Sequence, residues 1–172
     1  MTRIALALLV FAATLIGSPL SALAQERELI GTFRDWNTFR EIDGGNTLCY
    51  AVAIPDEAQL SRRGRQRGEI FFFVNTWKEL GLSNQVNIAL GYPVDPEATH
   101  MLRIGNEAFE LFGQEEWAFL MDEGETGRLL GAMRRGSDML VSARSTRGTE
   151  STDSYSLFGA TDALQAASEA CN

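Results

Sequence analysis

The chain has 172 residues, with 15 Lys and Arg against 23 Asp and Glu, for a formal net charge of −8. That acidic balance excludes a nucleic-acid backbone as the main partner. One histidine and two cysteines are too few for a four-ligand structural zinc site of His and Cys, and the sequence carries no cofactor-binding motif.

The first residues read as a targeting segment. Arg3 precedes an apolar run from Ile4 to Ile16, and small residues follow at Ala22-Leu23-Ala24. This is the charged, apolar and cleavage-site order of a secretory signal peptide. The run is 13 residues long, short of the roughly 17–25 that span a bilayer. Residues 1–24 are therefore expected to be removed, leaving 25–172, or 172 − 24 = 148 residues, as a single domain with no transmembrane segment. Gln25 follows the cut, so a lipid-anchored cysteine is not expected there. The expected location is periplasmic or secreted. In such an oxidising place two cysteines read as a disulfide, with Cys49–Cys171 the one possible intramolecular pairing. Two unpaired thiols and an intermolecular bridge are the alternatives.

Along the mature chain, apolar segments are short and separated by Gly, Asp, Asn and Pro. Strands are expected over Thr32–Ile42 and Thr47–Ile54, with Asp43-Gly44-Gly45-Asn46 as the hairpin turn. Glu69–Trp77 is strand-like and contains Phe71, Phe72 and Phe73 in succession. Gln85–Tyr92 alternates, with Val86, Ile88, Leu90 and Tyr92 on one face. His100–Ile104 and Glu107–Phe112 flank Gly105-Asn106, a second turn. Thr126–Arg135 groups Leu129, Leu130, Ala132 and Met133 on one helical face, with Arg134 and Arg135 suited to its C-terminal end. Gly136 is the expected stop. Asp138–Arg144 and Asp153–Phe158 read as late strands joined through Ser145–Thr149. Thr161–Cys171 is expected to be a helix capped by Thr161, with Ala160, Ala163, Leu164, Ala167 and Cys171 on one face. Cys49 shares its strand face with Ala51 and Ala53, so small residues on both surfaces let helix and strand meet. The fold class is mainly β: an antiparallel sandwich or barrel-like domain with two short helices, the C-terminal one tethered by a disulfide. An α+β arrangement is the alternative.

Candidate chemistry is sparse. His100, the only histidine, would have to serve any Ser-His-Asp or Cys-His mechanism, and its setting reads as a loop or strand edge. Glu115-Glu116 and Asp122-Glu123-Gly124-Glu125 match no EF-hand spacing and read as acidic turns. No catalytic residue or metal ligand is assigned. Trp36, Trp77 and Trp117 read first as core residues, with a ligand groove as the second use. The sharpest charge feature is Ser61–Gly68, where Arg62, Arg63, Arg65 and Arg67 form a mobile cationic loop suited to an anionic polymer.

Several short segments, in order, carry a resemblance. They are Trp36, Cys49-Tyr50-Ala51, Arg67-Gly68, Gly91-Tyr92-Pro93, Ile104-Gly105 with Phe109, and Ala132-Met133 with Gly136-Ser137. They continue with Ser145-x-Arg147-Gly148-Thr149, Tyr155-Ser156-Leu157-x-Gly159, Ala163-Leu164 and Ala170-Cys171. In these the chain resembles the invasion-associated locus B family of exported bacterial proteins. The resemblance implies a periplasmic or secreted, virulence-associated protein of a Gram-negative, alphaproteobacterial source, and brings no catalytic residues. The function expected is a non-enzymatic binding or interaction module, with an envelope or host-surface component as partner and a possible link to host-cell invasion. A carboxylate-based hydrolase of envelope polymers and a secreted adhesin are the alternatives.

Overall fold

A computed structural model describes residues 27–62, 64 and 66–172; the leader assigned to residues 1–24 lies outside them. The strands are β1 (Arg27–Phe33), β2 (Trp36–Asp43), β3 (Asn46–Ala53), β4 (Glu57–Leu60), β5 (Phe71–Trp77) and β6 (Leu82–Ala89). They continue as β7 (His100–Ile104), β8 (Glu107–Gln114), β9 (Trp117–Leu120), β10 (Asp138–Arg144) and β11 (Glu150–Ser156). Helix α1 (Thr126–Arg135) lies between β9 and β10, and α2 (Ala160–Ala170) follows β11. All pairings are antiparallel, in one 11-stranded sheet of order β1-β2-β3-β5-β6-β9-β8-β7-β10-β11-β4. The domain is mainly β, as its short alternating segments indicate.

The connection between β3 and β4 decides its shape. Strand β3 lies near one end of the sheet and β4 forms the other edge, yet only residues 54–56 join them. So short a link reaches no more than ~14 Å, so the sheet must roll until its ends meet. Asp56 N–H bonds the Ser154 carbonyl of β11 at 2.8 Å, and the Trp36 indole N–H of β2 donates to the Ser156 carbonyl at 2.9 Å. Inside the roll, Trp36, Phe72 and Tyr155 pack edge to face at 5.9 and 5.8 Å. The three successive phenylalanines divide by strand alternation: Phe72 is fully buried, while Phe71 and Phe73 turn outward and stay partly covered.

Turn chemistry accounts for most boundaries. Gly44 and Gly45 take φ +55° and +84°, the two left-handed positions of a tight hairpin turn. The expected strand Thr32–Ile42 is instead two strands, because Arg34 at φ +55° turns the chain between β1 and β2 with no glycine or proline to announce it. Strands β4 and β9, four residues each, add to the expected set. Glu115-Glu116 is the turn that returns β8 into β9, with Glu115 at φ +54°. Helix α1 has the expected bounds, with Leu129, Leu130, Ala132 and Met133 buried. Helix α2 begins one residue earlier than expected, and its N-cap is Gly159 rather than Thr161. At Gly159 the backbone is left-handed and passes so close to the Phe33 carbonyl that a Cβ would collide with it.

Helix α2 lies against β1, β2 and β3. Its buried face is mostly alanine, at Ala160, Ala163 and Ala167, and it meets Ala51 and Cys49, both fully buried. So close an approach lets the Thr38 hydroxyl donate to the Ala163 carbonyl at 3.0 Å. Cys49 and Cys171 form the disulfide, with Cα atoms 5.8 Å apart. The tether closes most of the chain into one loop, with 122 residues of separation, so its loss enlarges the unfolded ensemble. Replacing both cysteines by alanine is expected to lower the unfolding free energy by roughly 3–5 kcal/mol. Urea denaturation checks this; a midpoint equal to that of the oxidised wild type contradicts it.

Candidate functional site

Two glycines bring two distant segments together. Gly68 N–H bonds the Gly91 carbonyl at 2.8 Å. Gly91 is at φ +68°, and a Cβ on it would stand 2.6 Å from the Gly68 oxygen. No other residue type allows this backbone contact. Pro93 continues the junction, accepting the Thr146 N–H at 3.0 Å. The β10–β11 turn is held by Gly148 N–H to the Ser145 carbonyl at 2.8 Å and by the Ser145 hydroxyl accepting the Thr149 N–H at 3.1 Å. Between these segments lies a cavity of about 310 Å³, at the small end of ligand-site volumes.

Arg67, which lines the cavity, is held from behind by an ion pair. Arg67 makes a two-pronged contact with Asp153 of β11, with Nη1–Oδ2 at 3.0 Å and Nη2 also bonded to Oδ1. The two side chains are 7% and 0% exposed. The Arg67 guanidinium stands 5.8 Å from the Tyr92 ring centre, and the Tyr92 hydroxyl and Ser151 Oγ are 2.5 Å apart. Burial pushes the Asp153 carboxyl above its ordinary range, while the hydrogen bond and charge of Arg67 pull it back. Burial, then the Asp153 charge, drive the Tyr155 phenol far upward. Its hydroxyl is the one buried side-chain polar atom without a hydrogen-bond partner among the described residues.

Arg67 and Asp153 cancel one another, so the cavity's positive character comes from its rim. Arg147 lines the cavity and is exposed. Arg144 and Arg62 reach the same turn, their Nη2 atoms 3.6 and 3.9 Å from where a side chain on Gly148 would begin. This geometry suits an anionic group held between guanidinium groups at the mouth, over a tyrosine ring.

The expected cationic loop is thus divided. Arg62 is exposed beside the cavity. Arg67 is no mobile loop cation: Asp153 holds it in the cavity lining, a partner 86 residues away that local charge does not reveal. Arg63 and Arg65 lie outside the described residues. His100 is fully buried at the start of β7. Its Nδ1 accepts the Arg144 N–H at 3.3 Å, which leaves Nε2 to donate to the Asp95 carbonyl at 2.9 Å. Both ring nitrogens are occupied in holding β7 to the 95 and 144 segments. Asp122 accepts the Gly124 N–H at 2.8 Å, and Glu125 pairs with Arg128. Among the described residues no cluster of three or more His, Cys, Asp or Glu is placed to hold a metal ion, and no helix is long and apolar enough to cross a membrane. Trp36 is in the core, whereas Trp77 and Trp117 are partly exposed. Nothing in the local sequence marks Tyr92 as a lining residue or Asp153 as the partner of Arg67; the glycines beside Arg67 and Tyr92 are the available signal.

No family model, curated protein or solved structure matches the chain.

Arg67→Met leaves the Asp153 carboxylate buried and unpaired. At neutral pH this is expected to cost roughly 3–5 kcal/mol. Without Arg67 nothing opposes burial, so the folded carboxyl binds its proton more tightly than the unfolded chain does. The deficit should then be small near the ordinary Asp pKa of about 3.9 and grow as pH rises through the folded value. Coupling Arg67→Met with Asp153→Leu should recover most of the loss at neutral pH. Urea unfolding at several pH values reads all three outcomes.

Proposed function

We propose that the chain is an exported, non-enzymatic binding protein of the bacterial envelope, of the invasion-associated locus B type. Its ligand site is the Arg67–Tyr92–Arg147 cavity. The observation that carries this reading is a convergence. Arg67-Gly68, Gly91-Tyr92-Pro93 and Ser145-x-Arg147-Gly148-Thr149, three separated segments that carry the resemblance, line the same cavity. Packing alone does not require segments so far apart in the chain to share one mouth.

The ligand class follows from charge. Arg147 lines the opening, and Arg62 and Arg144, the latter paired with Asp95 at 3.9 Å, reach the Gly148 turn beside it, a local field opposite to the net charge of the protein. A carboxylate or phosphate group of an envelope or surface polymer fits there, with guanidinium forks to receive its oxygens. The disulfide supports an oxidising location, in line with the leader order of residues 1–24. The site's polar groups are tied to each other, Arg67 to Asp153 and Tyr92 to Ser151, which favours holding a ligand over transforming it. A hydrolase would need two carboxylates facing one substrate, and the lining of this cavity contributes none. Display at a host surface and a part in invasion rest on the resemblance alone. Recovery from culture supernatant rather than the periplasmic fraction would favour the adhesin reading.

Isothermal titration of the oxidised 25–172 chain with a galacturonate oligomer and with glycerol phosphate tests the site. At least one should bind, with affinity that falls as salt rises. Arg147→Ser with Arg62→Ser should weaken it about tenfold or more, the loss of one or two charge-assisted contacts, at unchanged melting temperature. Equal affinity in the double variant removes the cavity as the site.

A further inference from the structure

A second cavity, of about 550 Å³, lies where β6 and β9 part. The two strands pair only from Asn87–Phe119 to Ala89–Trp117. Beyond that β9 ends at Leu120, and the start of α1 closes the gap. The walls are of two kinds. Phe112 and Phe119 stack face to face, 5.3 Å apart and 27° between planes. Beside them on β6 are Gln85 and Asn87, the latter the cross-strand partner of Phe119. The one charged lining residue is Glu123, and no cation contributes.

Further aromatic surface lies beyond this cavity. Trp117, two residues from Phe119 on the same strand face, is 37% exposed. Its ring centre is 6.1 Å from that of Phe73, which is 5.7 Å from Tyr50 and 5.5 Å from Phe71. Two groups of rings therefore stand on the outer face of the sheet, Phe112 with Phe119 on β8 and β9, and Trp117 with Phe73, Phe71 and Tyr50 from β9 to β3. Leu48, Tyr50 and Val52, with Phe71 and Phe73 packed against them, form an apolar cluster apart from the main core. These rings do not close the interior.

From this juxtaposition we propose that the cavity and the adjoining rings bind a neutral oligosaccharide. Pyranose rings present apolar C–H faces that lie on aromatic rings, and vicinal hydroxyls that match the paired donor and acceptor of an amide. Gln85 and Asn87 take the hydroxyls of one sugar unit over the Phe112–Phe119 pair, and Trp117 stacks the next. Strand residues two apart are spaced by about 6.6 Å, comparable to one sugar unit. With Glu123 as the only charged lining residue, an anionic sugar is repelled and a neutral one is accepted. The site thus differs from the arginine-rimmed cavity in both place and charge preference, and it stands without that reading.

The test is titration of the oxidised 25–172 chain with maltohexaose, cellohexaose and chitohexaose, read by calorimetry and tryptophan emission. At least one should bind and shift the emission, with an affinity that does not depend on salt. Trp117→Ala and Asn87→Ala should each weaken it about tenfold, with melting temperature confirming the fold, while Arg147→Ser leaves it unchanged. Absence of binding to all three at about 10 mM, a ceiling for weak recognition, overturns the proposal. So does full affinity in the Trp117→Ala/Asn87→Ala double variant.

Discussion

The contact between α2 and β3 is where the fold is most constrained, because it is made by residues too small to hold it alone. Ala160, Ala163 and Ala167 face Ala51 across the interface, and each alanine buries little apolar area. What they provide is distance: backbone can approach backbone, and Thr38 reaches the Ala163 carbonyl. The disulfide at Cys49 and Cys171 turns that approach into a permanent one. Larger residues would add hydrophobic area but push the helix outward and separate the sulfur atoms. Small side chains and the covalent bond are therefore one solution, each of little use without the other.

The same constraint reaches the arginine-rimmed cavity through the roll of the sheet. With α2 fixed on β1, β2 and β3, the short link to β4 places β4 and β11 against that end. Strand β11 carries Asp153, Ser151 and Tyr155, and each side chain points into the roll. Arg67 and Tyr92, at the ends of the segments joined by Gly68 and Gly91, then meet Asp153 and Ser151. A buried ion pair is a weak source of stability, because desolvation offsets the attraction. Its value here is positional: Arg67 can satisfy Asp153 in only one register of the surrounding segments.

Features that depend on neighbours in sequence were legible, and features that depend on neighbours in space were not. Helix α1 was readable to its ends because its apolar period, terminal arginines and Gly136 all agree. Asp43-Gly44-Gly45-Asn46 was readable because only glycine takes two left-handed positions at little strain. The cysteine pair was readable by counting. Strand β4 was not, since three of its four residues are exposed and only its pairing with β11 makes it a strand. The Arg34 turn is fixed by Asp35 N–H reaching the Phe158 carbonyl, a contact 123 residues away in sequence by 158 − 35. Threonine caps a helix by its hydroxyl, which makes Thr161 the local candidate, but the N-cap is Gly159, where the close passage of Phe33 leaves room for glycine alone. In the cavity, the run of arginines was visible as charge; the carboxylate that claims Arg67 was not, because it belongs to another strand.

The outer face of the sheet follows from the same distinction. Alternation along a strand normally separates an apolar inside from a polar outside, and β10 follows it apart from the outward Leu140. Strands β3 and β5 do not: Tyr50, Phe71 and Phe73 are aromatic on the side away from the core. Packing of the interior does not explain rings placed there, since Phe72 and Val74 already fill the inner side of β5. A helix could have covered them, yet both helices are committed elsewhere: α2 to β1, β2 and β3, and α1 to α2 and β6. The rings cluster with each other and leave Trp117 and Phe112 about one-third exposed. Scattered surface aromatics need no explanation, but rings grouped on one face beside an amide-lined cavity do. The domain thus turns two chemically distinct faces outward, a guanidinium-rimmed mouth at the β10–β11 turn and an uncharged aromatic surface on β8, β9 and β5.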